Sequence, residues 1–176
     1  MKFALTLSIA ALVGLAGCAA PTRTVDMGGQ FDEEAARAAL EPGAGKIQGN
    51  ALLRQVGGGV VTCAGNRVDL HPATGYARKW FAAFFGNEGG GYRSVHETPI
   101  IKFVNTSPAF STLGKAGHCD AQGNFEFTQV KDGDWYVITN VQWNVMTRYG
   151  AEPQGGTLAR QVTVKDGQSV RVVLAP

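Results

Sequence analysis

Short runs of alternating apolar and polar residues fill the chain from residue 46 to residue 176. Glycine turns separate the runs, and each run has the length and period of a half-buried strand. The predicted strands are 47–53, 60–62, 68–71, 100–104, 125–128, 135–143 and a final hairpin, in which Leu158, Val162 and Val164 face Val170, Val172 and Leu174 across a turn at Asp166-Gly167. The pattern therefore predicts a mainly β fold, a single antiparallel β-sandwich of about seven strands.

Two segments have the period of a helix rather than that of a strand. The first, residues 31–40, opens with acidic residues, continues with alanines and is ended by Pro42-Gly43. The second lies in an insertion at about 75–95, where positions 80, 81, 84 and 85 share one helical face. A glycine-rich stretch, 86–91, follows that helix and is predicted to be a mobile loop.

The front of the chain predicts export and attachment to lipid. A positive residue and a short apolar run form a signal peptide over residues 1–17, too short to span a membrane. Leu15-Ala16-Gly17-Cys18 resembles the lipobox of bacterial lipoproteins, which implies cleavage before Cys18 and acylation of that cysteine. Several acyl chains anchor a protein stably. Ala19 stands where an aspartate would imply retention at the inner membrane, so the sequence favours the periplasmic face of the outer membrane.

Three segments follow from these patterns. The signal peptide comes first, and residues 18–45 are predicted to be a lipidated tether that carries the short helix. Within that tether, residues 19–30 are polar and are expected to be flexible. Residues 46–176 form the sandwich with its insertion.

The three cysteines are divided by the expected lipid attachment. With Cys18 acylated, Cys63 and Cys119 remain as an even pair in an oxidising compartment, which favours a disulfide between them. Two free thiols, or a zinc site with His71 and His118, are the alternatives. Because His118 and Cys119 are adjacent, a strand would point them to opposite sides, which disfavours zinc.

One part of the predicted sandwich resembles a known family. The residues that carry the resemblance are Asp120, Gly123-x-Phe125-x-Phe127, Gly133 and Trp135-Tyr136-Val137, preceded by Ile47-x-Gly49 and Val68-x-Leu70-x-Pro72. They look like the carboxypeptidase regulatory-like domain, a transthyretin-like (prealbumin-like) sandwich. The resemblance implies an inward-facing Phe125 and Phe127, met by Tyr136 and Ile138 from the next strand. It also implies a rigid accessory module that carries out no catalysis, since these motifs concern packing and turns.

Little in the sequence points to chemistry. No nucleophile elbow, zinc-protease helix, phosphate loop or dinucleotide fingerprint occurs, so no catalytic residue, cofactor or metal is predicted. A net charge of +2 without a basic block gives no footprint for nucleic acid. His71 lies on the polar side of its strand and is expected to be solvated, and His96 and Glu97 would point apart. Trp135 and Trp143 are assigned to the core or its edges.

The insertion is the best candidate for a functional surface. The candidate patch consists of Trp80, Phe81, Phe84, Phe85, Tyr92 and Arg93. These side chains cap an open edge or end of the sandwich, form an exposed docking patch for a protein or glycan, or place the helix on the membrane surface. Only two basic residues lie nearby, which disfavours the membrane alternative. The main hypothesis is a lipid-anchored, non-catalytic interaction or scaffold module of the cell envelope, with an envelope protein or glycan as its partner. The alternative is a lipoprotein that binds a small ligand or glycan, with the insertion as pocket wall. A hydrolase whose residues converge only in three dimensions is the third hypothesis.

Overall fold

A computed structural model describes residues 20–176, so the predicted signal peptide and the predicted lipid attachment at Cys18 lie outside the described residues. The described chain contains eleven strands and three helices. In chain order they are β1 Thr22–Asp26, α1 Glu33–Leu40, β2 Gly45–Arg54, β3 Val60–Thr62, β4 Arg67–Pro72, α2 Gly75–Phe85, β5 Gly90–Ser94, β6 Ile100–Val104, α3 Pro108–Thr112, β7 Lys115–His118, β8 Asn124–Val130, β9 Gly133–Thr147, β10 Gly150–Val164 and β11 Ser169–Leu174. The mainly β class is confirmed, with more strands than the seven predicted.

Two sheets enclose the main core. One is a five-stranded antiparallel sheet in the order β5-β10-β9-β4-β7, and the other has β2 at its centre, paired with β11, β3 and β8. The two sheets bury their facing side chains in one cluster that contains Ile47, Val68, Phe125, Phe127 and Trp135. A third sheet, the parallel pair β1–β6, makes the single-sandwich prediction incomplete.

The predicted final hairpin is wrong as a pairing, although both of its strands form. β10 pairs with β9 and β5, whereas β11 pairs in parallel with β2 in the other sheet. The turn at Asp166-Gly167 therefore carries the chain across the core instead of reversing it within one sheet. Val164 and Leu174 are both buried in the main core, but they come from opposite sheets.

The register of β9 also differs from the expectation. Trp135, Val137 and Val141 point into the main core, whereas Tyr136 and Ile138 point away from Phe125 and Phe127 to the outer face of the sheet. Because side chains alternate along a strand, a shift of one residue exchanges the two faces. The assignment of Trp135 and Trp143 to the core and its edge is confirmed.

The N-terminal segment is more ordered than predicted. The expected helix is confirmed as α1, and the carboxylate of Asp32 caps it by accepting a hydrogen bond from the Ala35 amide at 2.9 Å. The segment expected to be flexible contains β1, which pairs in parallel with β6 from Thr22 to Asp26. Its β-branched residues suit a strand, and its partner lies far away in the sequence.

The insertion combines a helix with an edge strand. The predicted helix is confirmed as α2, capped by the Thr74 hydroxyl, which accepts from the Ala77 amide at 3.2 Å. The predicted mobile loop is corrected, since Gly90–Ser94 form β5 at the edge of the five-stranded sheet. Gly90 is required there, because a Cβ would lie 2.5 Å from the carbonyl oxygen of Ala159.

The disulfide between Cys63 and Cys119 is confirmed, with a Cα–Cα distance of 5.8 Å. His118, the last residue of β7, is exposed, whereas the next residue, Cys119, is buried. Within residues 20–176 no three His, Cys, Asp or Glu side chains come together as metal ligands would. No helix in the same residues is long and apolar enough to cross a membrane.

Candidate functional site

Helix α2 lies on the outer face of the five-stranded sheet and forms a second, smaller core there. The ring of Phe81 stacks on that of Tyr136 with centroids 3.8 Å apart and planes 7° apart. Phe81 is 1% exposed and packs with Ala77 and Ala159. The hydroxyl of Tyr136 donates to the Glu88 carbonyl at 2.6 Å, so this face of the sheet is covered rather than solvated.

The structure disperses the predicted patch. Trp80, Phe84 and Phe85 are half-buried around the small core, whereas Tyr92 turns to the main core and donates from its hydroxyl to the Gly155 carbonyl at 3.0 Å. Arg93 lies over the ring of Phe84 and donates to the Phe84 carbonyl at 2.9 Å, to the Pro99 carbonyl and to Glu97. Arg93 is therefore a structural brace of the insertion.

A pocket of about 500 Å³ opens beside α2, between that helix, β4 and α3. Its apolar lining includes Trp80 and Phe81 from the predicted patch. The other apolar residues, which the sequence pattern had not connected with them, are Phe103, Pro108, Phe110 and Ile138. Its polar lining consists of Asp69, His71, Thr106, Ser107 and Ser111. A mainly aromatic wall with a few polar groups is the usual composition of a small-ligand site.

Trp80 is contacted by four aromatic rings around this pocket. Phe84 and Phe103 stack on the indole at centroid distances of 4.9 and 5.1 Å, with interplanar angles of 18° and 19°. Phe81 meets the indole edge-on, at a centroid distance of 5.0 Å and an interplanar angle of 68°, and the ring of Phe110 lies 6.1 Å away with a tilt of 45°. Trp80 is half-buried and lines the pocket, so part of the indole can be offered to a flat apolar surface there.

His71 differs from its predicted environment. It was expected to be solvated, but α3 and the residues after it cover this part of the sheet. The imidazole stacks on Phe110 with centroids 5.5 Å apart, and its Nδ1 lies 3.3 Å from the Leu113 carbonyl oxygen. Burial lowers the pKa of His71, against the opposing effect of the Asp69 carboxylate and the Leu113 contact. The imidazole is therefore neutral at pH 7.

Asp69 provides the one carboxylate of the pocket lining. It lies two residues before His71 on β4, so both side chains point to the same face of the sheet. Its two oxygens accept from the Arg67 guanidinium at 2.8 and 3.0 Å. The carboxylate and the imidazole are thus engaged with separate partners instead of with each other, and hydroxyls of α3 and the loop before it surround them.

A second cleft of about 510 Å³ lies on the outer face of β2, β8 and β11. Its lining is mostly polar, and Phe125, its one aromatic residue, is 4% exposed and belongs to the main core. This cleft lacks an aromatic wall. The pocket beside α2 is therefore the better candidate for a ligand site.

Fold and pocket together define a mainly β module with an aromatic-walled cavity on one sheet face. No protein-family model and no curated protein matches the chain. Its fold is similar to that of a solved structure, a candidate carbohydrate-binding protein from Pseudomonas aeruginosa, with a TM-score of 0.69 and 26% sequence identity. The similarity covers 84% of this chain and 99% of the other protein.

Proposed function

We propose that the protein binds a glycan in the pocket beside α2. The observation that carries the proposal is the combination, within about 500 Å³, of the half-buried indole of Trp80 with one carboxylate, one neutral imidazole and several hydroxyls. A pyranose ring matches this lining, because one side of the ring is apolar and its rim carries hydroxyl groups. The similarity to a candidate carbohydrate-binding protein supports this function over the scaffold hypothesis.

Each part of the pocket has a separate task in the proposal. Trp80 and Phe110 receive the apolar side of the sugar. Asp69 accepts hydrogen bonds from sugar hydroxyls, and bonds to a charged acceptor are the stronger kind. His71 contributes a nitrogen whose role as donor or acceptor follows its tautomer. The proposal assigns binding and no catalytic step.

The location of the binding module is a further part of the proposal. The lipobox-like Leu15-Ala16-Gly17-Cys18 supports a lipid anchor at Cys18, on the periplasmic face of the outer membrane. Such an anchor would hold the glycan pocket at the cell envelope. The motif around Gly123 and Phe125 supports assignment of the sandwich to the carboxypeptidase regulatory-like, transthyretin-like group.

The test is a glycan array followed by titration of the best ligand by calorimetry. Trp80→Leu removes the indole face, and Asp69→Asn removes the charged acceptor while preserving its shape. Each substitution is expected to weaken binding by about tenfold, since one stacked ring or one charge-assisted hydrogen bond contributes roughly 1 to 2 kcal/mol.

Tyr149→Ala is the matched control, because Tyr149 is 79% exposed on a distant hairpin and should leave the affinity unchanged. Melting curves establish that each variant is folded. Glycan binding that survives both pocket substitutions, or an array without any hit, would refute the proposed site.

A further inference from the structure

Two hairpins project from the end of the sandwich that carries the disulfide. At this end the Cys119 amide donates to the Asn66 carbonyl, and the Asn66 side chain donates to the Asn140 carbonyl. β9 and β10 continue together beyond Asn140, past the last pairing of β10 with β5 at Gly156. This two-stranded extension, residues 141–156, is called the arm below.

The β2–β3 hairpin projects from the same end. The Cys63 amide donates to the Ala51 carbonyl, so β2 passes the disulfide before it turns at residues 55–59. Both β2 and β3 contact β9, which places this turn beside the arm. The disulfide end therefore carries two neighbouring hairpin tips.

Exposed apolar side chains are concentrated at this end. Of eight large apolar residues exposed in the described chain, seven lie on the two hairpins or on the segment 95–100 beside them: Val56, Val60, Val95, Ile100, Val145, Met146 and Tyr149. Val56, Met146 and Tyr149 are exposed by 108%, 78% and 79%. Grouped apolar residues at one end of a module mark a contact surface, unlike scattered ones.

The chain enters the domain at the same end. The Ile100 amide donates to the Pro21 carbonyl at 2.8 Å, immediately before β1, and the Val95 amide donates to the Gly155 carbonyl at the base of the arm. Cys18 precedes Pro21 by three residues, which reach at most about 11 Å. From Gly155 the arm extends for five further residues, about 17 Å. An anchor at Cys18 and the arm tip are thus close enough to meet one membrane surface.

We infer that the disulfide end faces the bilayer and that both hairpin tips contact it. The inference rests on the proposed lipid anchor at Cys18. The hairpin tips carry the residue types that are enriched at membrane–water interfaces. Tyr149 combines an apolar ring with a hydroxyl, and Arg54 and Arg148 are close in sequence to the exposed apolar residues. Neither arginine makes an ion pair with another residue of the described chain, and both can reach lipid phosphates.

The experiment is NMR spectroscopy of the mature lipidated protein in nanodiscs, at one copy per disc and with nitroxide-labelled lipid, which broadens the signals of nearby amides. Amide signals of residues 56–58 and 146–149 should be lost, because they lie next to the nitroxide. Signals at the opposite end of the sandwich, at Asp132 and Gly167, should persist. Mass spectrometry of the N-terminal peptide measures the lipid on Cys18 in the same sample.

Met146→Asp with Tyr149→Asp should restore the arm signals, because two carboxylates cannot remain at a lipid surface without a large cost. Val173→Asp is the matched control and should change nothing, since among residues 20–176 Val173 is the one large exposed apolar residue outside the cluster.

Three results overturn the inference in distinguishable ways. An unlipidated Cys18 refutes the anchor itself and with it this orientation. A lipidated protein whose tips keep their signals refutes the orientation alone. Tip signals that disappear only when a disc holds two copies would assign the surface to a second copy of the chain.

Discussion

Replacing both Cys63 and Cys119 by alanine removes a covalent link that closes the loop from β4 to β7. Helices α2 and α3 and all the pocket-lining residues except Ile138 lie within that loop. The two cysteines are 56 positions apart, for which the loop-entropy relation gives about 14 cal/mol/K, or about 4 kcal/mol at 25 °C. Both side chains are buried, so their truncation adds a loss of packing to this value. We expect the free energy of unfolding to fall by roughly 4 to 5 kcal/mol, a large part of the total for a domain.

The assay is urea unfolding followed by tryptophan fluorescence, without reductant. Wild-type protein in reductant should approach the stability of the double variant, and reductant should leave the variant unchanged. The use of two alanines avoids an unpaired thiol. A decrease of less than about 1 kcal/mol with an unchanged urea slope would show that the link does not restrain the unfolded chain as calculated.

Three further predictions concern the face that α2 covers. Phe81→Ala should lower the free energy of unfolding by about 3 to 5 kcal/mol in the same assay, because Phe81 is buried. Val173→Ala, at an exposed position, should lower it by less than about 0.5 kcal/mol. Equal effects of the two substitutions would refute a core role for α2. The pKa of His71 is lowered in the folded protein, so on acidification the unfolded chain takes up this proton at a higher pH than the folded protein does. The free energy of unfolding should therefore be highest above about pH 6.5 and should decline towards pH 5. His71→Gln should make that decline smaller. Thr74→Ala should lower the free energy of unfolding by about 1 kcal/mol, because α2 loses its N-cap. Thr74→Ser keeps the capping hydroxyl and should retain most of the wild-type stability.

Local patterns predicted most strands and both longer helices, because alternation, capping residues and glycine turns act over a few residues. Pairings were harder to predict. A turn at Asp166-Gly167 has the same local signature whether the next strand returns in the same sheet or crosses the core. β1 was missed because its polar sequence becomes a strand only through β6, far away in the chain.

The candidate site shows the same division between local and distant information. Trp80 and Phe81 were identified from the period of their helix. Phe103 and Phe110 lie on separate elements, and nothing in the local pattern connects them with Trp80. His71 was assigned to solvent because alternation gives only two faces, while the covering of the outer face by α2 and α3 depends on tertiary packing.

The parallel pairing of β2 with β11 has a consequence for the order of assembly. Ile47 lies opposite Val170, so β2, a central strand of the sandwich, obtains its neighbour on one side from residues 169–174. During synthesis β2 remains unpaired on that side until these residues become available. Contacts between such distant residues slow folding, because a long loop must close before they form. The sandwich therefore cannot close around β2 before residue 174 has been made.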